Sequence, residues 1–139
     1  MKNLLTALAT KISGSELSTS VDGKIYLDEY PADDNPPNFP YIIYFIVSGV
    51  PDKTFTEVYT STTIQFSLFS ASSSANEITT MYNNLKSLLD ETELEIAGST
   101  LVWIREEALS TRTDDITTKD GTHFVRTWHI DFEILTSLN

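Results

Sequence analysis

One stretch near the end of the chain decides the fold: residues 123–135 read HFVRTWHIDFEIL. Apolar side chains recur at alternate positions, with Arg126 as the exception, and they are Phe124, Trp128, Ile130, Phe132 and Ile134. Polar side chains stand between the later ones, at His129, Asp131 and Glu133. Because successive side chains of a β-strand point to opposite faces, this pattern predicts a strand with one buried face and one polar face.

The clearest helix precedes this strand. Its apolar residues follow the spacing of an amphipathic helix, and they are Ile78, Met81, Tyr82, Leu85, Leu88 and Leu89. Ser74 and Glu77 have the S-x-x-E spacing of a capping box, in which two side chains bond the free amides of the first turn. We therefore predict a capped helix that packs its apolar stripe against the sheet.

A second helix is predicted over residues 3–13. Its apolar residues on one side are Leu4, Leu5, Leu8 and Ile12. Asn3 is a candidate cap and Gly14 a stop signal. The Ser/Thr-rich residues 15–22 are predicted to be mostly loop.

Further strands are predicted at residues 24–27 and 41–48, and residues 55–70 are predicted to form one long strand or two broken ones. Residues 41–48 read YIIYFIVS and are apolar on both faces. This is typical of a central strand covered by helices on one side and by a sheet or a partner chain on the other. The GVPD sequence of residues 49–52 predicts a turn, and the alternation within 55–70 is clearest at residues 62–69.

Polar segments separate these elements. Residues 28–40 read DEYPADDNPPNFP, and their four acids and four prolines exclude a helix or a central strand. Loops of this length are uncommon in compact domains and often serve a contact. Residues 93–96 and 100–107 flank an Ala-Gly-Ser hairpin signal. Residues 110–121 predict a polar tip that ends in an Asp-Gly turn.

The order of helix, strands, helix and strands predicts an α+β domain with a mostly antiparallel sheet and two main helices packed on one face. The length of 139 residues corresponds to a single domain over residues 1–139.

Charge and composition exclude several classes of protein. Twenty acidic and nine basic residues give a net charge of −11, which disfavours non-specific binding to DNA or to anionic membranes. The absence of cysteine excludes disulfides and thiolate metal sites, and favours a reducing compartment. The longest apolar run, residues 41–47, is too short to cross a bilayer, and the N-terminal segment predicts a helix and not a signal peptide.

No residue pattern predicts catalysis. The sequence contains neither a G-x-S-x-G elbow nor a Gly-rich phosphate loop. His123 and His129 are about 20 Å apart along the predicted strand, so they cannot act together within one subunit. Glu106 and Glu107 point to opposite faces of a strand, and the other carboxylate pairs lie in predicted hydrated loops. We therefore expect no enzymatic activity, no catalytic residue and no cofactor.

One strand face leaves an alternative. His129, Asp131 and Glu133 project from the same face about 6.6 Å apart, and a histidine with a carboxylate could bind a metal together with ligands from an adjacent strand. A polar outer face of a half-buried strand explains the same residues without a ligand. We expect no metal site. A small metal-binding or ligand-binding cytoplasmic domain that uses His129 and Asp131 is the least favoured alternative.

Several sequence blocks resemble a phage family. The N-terminal LLTALATKI (residues 4–12) is followed by VDGKIY (21–26), FPYI (39–42) and IQFSLFS (64–70) before the capped helix. A long polar hairpin tip and an aromatic final strand complete the set. In order and spacing, nearly the whole chain is similar to the tail-completion or tail-terminator proteins of long-tailed bacteriophages and prophages.

The resemblance implies a structural virion protein without catalytic residues. It implies a sixfold ring on the end of the tail tube, which stops tube polymerisation and presents the face to which the filled head attaches. The implied partners are other copies of the chain, the tail-tube protein and the head connector or completion protein. DNA would pass through the ring without specific binding, and no membrane is involved. The implied location is the virion tail, after assembly in the bacterial host cytoplasm.

The two long polar segments are the predicted contacts with the tube or the connector. The candidate interaction residues are Asp33, Asp34, Asp114, Asp115 and Lys119. Another strand face is either core or part of a subunit seam, and it consists of Tyr41, Ile43, Phe45 and Val47. A net negative ring fits a DNA conduit, because it repels phosphate. Another neck or tail component, either a head-completion protein or a tail-tube subunit, is the alternative function.

Overall fold

The structure is a computed structural model that describes residues 2–31, 38–53, 58–118 and 121–138. Within these ranges the chain forms three helices and five strands. The helices are α1 (Lys2–Ile12), α2 (Glu16–Ser20) and α3 (Asn76–Leu89). The strands are β1 (Ile25–Leu27), β2 (Tyr41–Lys53), β3 (Val58–Ser70), β4 (Ser99–Thr118) and β5 (Gly121–Leu138). None of the helices in the described ranges is long and apolar enough to span a membrane.

The five strands form one sheet in the order β1-β2-β3-β5-β4. β1 runs parallel to β2, and the other three neighbouring pairs are antiparallel. β1 and β4 therefore form the two lateral edges. The predicted α+β fold with a mostly antiparallel sheet is confirmed.

Both long helices bury their apolar stripes on the same face of this sheet. The buried residues of the helices are Leu4, Ala7, Leu8 and Ile12 in α1 and Ile78, Met81, Leu85 and Leu89 in α3. They share one core with alternate residues of the inner strands, namely Ile42, Tyr44, Ile64, Phe66, Leu68, Ile130, Phe132 and Ile134. Because alternate side chains share a face, this is the buried side of the sheet. We call it the inner face and its opposite the outer face.

Residues 15–22, predicted as mostly loop, contain the short helix α2. The side chain of Ser15 caps this helix by accepting a hydrogen bond from the amide of Ser18 at 3.2 Å. Leu17 is fully buried in the core, and Val21 is buried as well. One cap and two buried side chains stabilise α2. Two apolar residues are too few to show a helical period in a Ser/Thr-rich sequence.

Helix α3 is confirmed, but the predicted capping box is wrong. The hydroxyl of Ser74 accepts a hydrogen bond from the amide of Asn76 at 3.1 Å. The carboxylate of Glu77 accepts one from the hydroxyl of Ser70 at 2.6 Å. Glu77 thus joins the start of α3 to the end of β3. The S-x-x-E spacing does not reveal that Ser70 is its partner.

β2 continues through residues 49–52, which were predicted to be a turn. Val47 is the extra residue of a register shift between Ile46 and Ser48, and pairing with β3 then resumes up to Lys53↔Val58. Beyond Tyr44, β2 has no described neighbour on its β1 side. Pro51 is tolerated here because an edge strand does not need every amide in a ladder.

The predicted strand at residues 93–96 is also wrong. Only an isolated bridge joins Ile96 to Ser99, around a turn in which Gly98 adopts a φ of 78°. β4 starts at Ser99 and extends to Thr118, so the segment predicted as a polar tip is mostly strand. Its Ser and Thr residues suit an exposed ribbon as well as a loop, because β-branched threonine favours extended backbone.

Truncation of Leu85 to alanine should lower the free energy of unfolding by about 2–5 kcal/mol, because this α3 side chain is fully buried against the sheet. Urea unfolding, monitored by circular dichroism, measures the change in the free energy of unfolding. The control Asn83→Ala alters an exposed residue of the same helix and should change stability by less than about 0.5 kcal/mol. Equal effects of the two substitutions would contradict the packing described for α3.

Candidate functional site

β4 and β5 extend past the rest of the sheet as a two-stranded arm. β3 ends at Ser70, opposite Arg126 of β5. β4 and β5 stay paired beyond this level, from Asp114↔Val125 to Thr118↔Gly121. At about 3.3 Å per residue, these five pairs span roughly 16 Å. We call residues 114–118 and 121–125 the arm, and we call the end of the sheet from which they project the arm end.

The arm carries two of the predicted contact residues. Asp114 and Asp115 are consecutive on β4, so their side chains point to opposite faces. The carboxylate of Asp114 accepts a hydrogen bond from Nε of Arg112 at 2.7 Å. Asp115 is exposed and lies opposite Phe124. Lys119 lies outside the described residues.

Phe124 does not share the burial predicted for its strand face. Trp128 packs against the core, as predicted, whereas Phe124 is 70% exposed. The difference arises because Phe124 lies beyond the level at which β3 ends. Arg126, the exception in the apolar pattern, donates a hydrogen bond to the backbone oxygen of Ser72 at 2.9 Å.

The two ends of the predicted acidic loop, residues 28–40, are anchored on the outer face. The hydroxyl of Tyr30 accepts a hydrogen bond from the amide of Asn38 at 2.9 Å. The rings of Tyr30 and Phe39 lie 4.7 Å and 5.3 Å from that of Tyr41, which stacks on Phe69 at 4.6 Å. Burial, with a smaller contribution from Tyr30, raises the pKa of Tyr41 to about 12. The loop therefore starts and ends at one aromatic cluster.

The candidates Asp33 and Asp34 lie outside the described residues. The strand face that was predicted as either core or seam divides in two. Tyr41 is buried in the aromatic cluster, whereas Ile43 and Phe45 are half-buried and Val47 is exposed.

The sheet places the two predicted contact segments at the same end. Tyr41 pairs with Phe69, Phe69 with Thr127, and Thr127 with Arg112. The aromatic cluster and the base of the arm are thus level, about 14 Å apart across three strand spacings. The role of Tyr30 and Phe39 was not predicted. The sequence signal for it is the presence of an aromatic residue at each end of a proline-rich segment.

The polar side chains of the outer face bond one another in the middle of the sheet. Gln65 donates to the carboxylate of Asp131 at 2.9 Å. Nε1 of Trp103 donates to Glu133 at 2.8 Å, and Arg105 forms an ion pair with the same carboxylate at 3.2 Å. These contacts involve two members of the alternative metal set. Among the described residues, no group of three or more His, Asp or Glu side chains is placed to hold a metal ion.

The third member of that set, His129, forms a hydrogen bond with Ser67. Its Nδ1 lies 2.8 Å from Oγ of Ser67, the spacing of a nucleophile and a base. Ser67 is only 4% exposed, however, and the carboxylate of Asp131 is engaged by Gln65. A buried hydroxyl is inaccessible to a substrate, so this pair is a structural contact of β3 with β5.

The pKa of His129 should lie below its ordinary value of 6.5. Burial, and to a smaller extent the positive charge of Arg112, disfavour the imidazolium, and they outweigh the negative charges of Asp131 and Asp114, which favour it. An NMR titration of the imidazole protons, assigned with His129→Gln, measures it. Arg112→Ala should raise the midpoint. A midpoint at or above 6.5 in the unsubstituted protein would contradict the described environment.

Comparison with known proteins agrees with this fold. The family model described as "Tail completion protein gp17" matches residues 2–136. A solved structure titled "Virion of native gene transfer agent (GTA) particle" contains a chain with a TM-score of 0.73 and 12% identity, over 98% of this chain and 96% of that one. At this identity the likeness shows a common fold. No curated protein matches the chain.

The family match extends from the start of α1 almost to the end of β5. The resemblance inferred from the sequence blocks is therefore confirmed. The chain belongs to the family of tail completion protein gp17 and is a structural protein of a phage-type tail.

Proposed function

We propose that the chain caps the tail tube as a ring, ends tube polymerisation and provides the surface to which the head attaches. Membership in the tail completion family supports this proposal. The observation that carries it is the arm, which projects from the same end of the sheet at which the acidic loop is anchored. A ring cap needs endwise contacts with its neighbours along the tail, and this end supplies a surface for them.

The arm suits such a contact because most of it lies beyond the core. Val125 is buried, but Asp115 and Phe124 are exposed on the same side of the ribbon. A two-stranded ribbon that projects roughly 16 Å and presents a carboxylate beside an aromatic ring can insert between the surfaces of a neighbouring protein. The tail-tube protein or the head connector is the proposed partner.

The role requires assembly without turnover. The proposal includes six copies per ring, assembly in the bacterial host cytoplasm and a final place in the virion tail. The net charge of −11 supports a conduit function, because a negative lumen repels the phosphates of passing DNA. No specific nucleic-acid contact and no bound cofactor are needed.

Shortening the arm should leave a folded protein that no longer joins heads to tails. In the test variant, Asn-Gly replaces residues 115–124 and connects Asp114 to Val125 as a two-residue hairpin turn. Both the Arg112–Asp114 ion pair and the buried Val125 are retained. Electron microscopy of lysates from cells that carry the variant as their sole copy should show separate filled heads and tails.

A matched pair of variants tests the arm without shortening it. Asp115→Ala combined with Phe124→Ala removes two exposed side chains of the arm and should reduce the number of joined particles. Asn83→Ala combined with Ser87→Ala removes two exposed side chains of α3 and should not. Normal infectious particles from the shortened arm would exclude the arm from the joining mechanism.

A further inference from the structure

We propose that β4 of one copy lies against β1 and the adjoining free edge of β2 of the next copy, so that the sheet continues from subunit to subunit around the ring. This inference rests on the proposed ring and names its side-to-side interface.

Exposed large apolar side chains are concentrated at the two lateral edges of the sheet. Of the eight described, six lie there, and only Phe124 and Leu138 lie elsewhere, on β5. The β1–β2 edge carries Leu27, Val47 and Val50, and the β4 edge carries Val102, Trp103 and Leu109. Two separate apolar edges on one sheet are both covered when one copy stands beside the next.

On the inner face, the exposed leucines of the two edges lie at the same height along the strands. A single cross-strand row connects them, and it consists of Leu27, Tyr44, Phe66, Ile130 and Leu109 in spatial order. The three middle residues are buried core, whereas the two leucines at the ends are 41% and 44% exposed. A copy placed alongside at the same level continues this row, with Leu109 next to Leu27 of the next copy.

A second row matches on the outer face. Val50 pairs with Ser61, Ser61 with Leu135, and Leu135 with Trp103. Both ends of this row are exposed. β1 does not reach this level, so β2 forms the edge there. This edge lies one strand spacing farther from the neighbouring copy than β1 does.

The strand directions permit direct pairing. β1 is parallel to β2, and three successive antiparallel steps make β4 antiparallel to both. Side-by-side copies of the same orientation therefore bring antiparallel edges together, which can share backbone hydrogen bonds. β4 contains neither proline nor lysine, two residues that commonly protect a free edge, and its charged residues lie at 105–107, 112, 114 and 115. Within the chain, the amide of Glu91 donates to the backbone oxygen of Ile104, and Asp90 accepts from the amide of Glu106. With the register shifts at residues 102 and 107, this places the proposed pairing at residues 108–118, which are regular.

The two edges differ in sequence and run in opposite directions, so the contact joins unlike edges. Because a contact between unlike edges repeats from copy to copy, it closes into a ring when the rotation allows.

Cysteine cross-linking tests this interface, because the natural chain contains no cysteine. The double variant Leu27→Cys/Leu109→Cys places both thiols on one chain at exposed positions. Facing residues of antiparallel strands have the Cα separation that a disulfide needs. Mild oxidation of assembled tails should give a ladder of disulfide-linked multimers on a non-reducing gel. The control Leu27→Cys/Leu138→Cys pairs the β1 edge with an exposed residue at the end of the sheet opposite the arm and should give no ladder.

Electron microscopy of the same tails makes the outcomes distinct. Rings at the tail ends together with the ladder support the interface. Rings without a ladder from the first variant, or equal ladders from both variants, would overturn the interface and leave the ring intact. The absence of rings from tails that carry the unsubstituted protein would overturn the proposed function and this interface together. Thermal unfolding of both variants checks that the surface substitutions preserve the fold.

Discussion

In the described part of the chain, helices cover one face of the five-stranded sheet and not the other, and the rest of the molecule depends on this one-sided packing. The stripes of α1 and α3 bury the inner face in a single core. On the outer face, polar side chains bond one another, as in the contacts of Gln65 with Asp131 and of Trp103 with Glu133. Exposed apolar side chains lie on both lateral edges and on the projecting arm. A fold of this kind has its rigid core and its contact surfaces on the same strands.

The long periodic elements were predictable because burial on one side imposes a period on the sequence. The stripe of α3 and the alternation of β5 are of this kind. The predictions that failed depend on neighbours distant in sequence. Residues 49–53 form a strand because β3 pairs with them, and Glu77 bonds Ser70 in place of completing a local capping box. A short range of sequence contains no information about such partners.

The candidate site shows the same division. The sequence indicated that two polar segments serve contacts, and the structure places Asp114 and Asp115 on a projecting ribbon. The acidic loop and the arm lie at the same end of the sheet because of the strand order. The alternation of apolar and polar residues does not predict this order, because it indicates which face a side chain occupies and not which strand lies beside it. The match between Leu27 and Leu109 also required the complete register across five strands. Both surfaces are properties of the assembled sheet.

The proposed function is that the chain ends the growth of the tail tube. The most direct measurement is electron microscopy of purified tail tubes mixed with this protein and with free tube subunits. The account predicts a single ring at one end of each tube and no further growth at that end. Long cylinders built from this chain, or tubes that keep growing past it, would contradict the account.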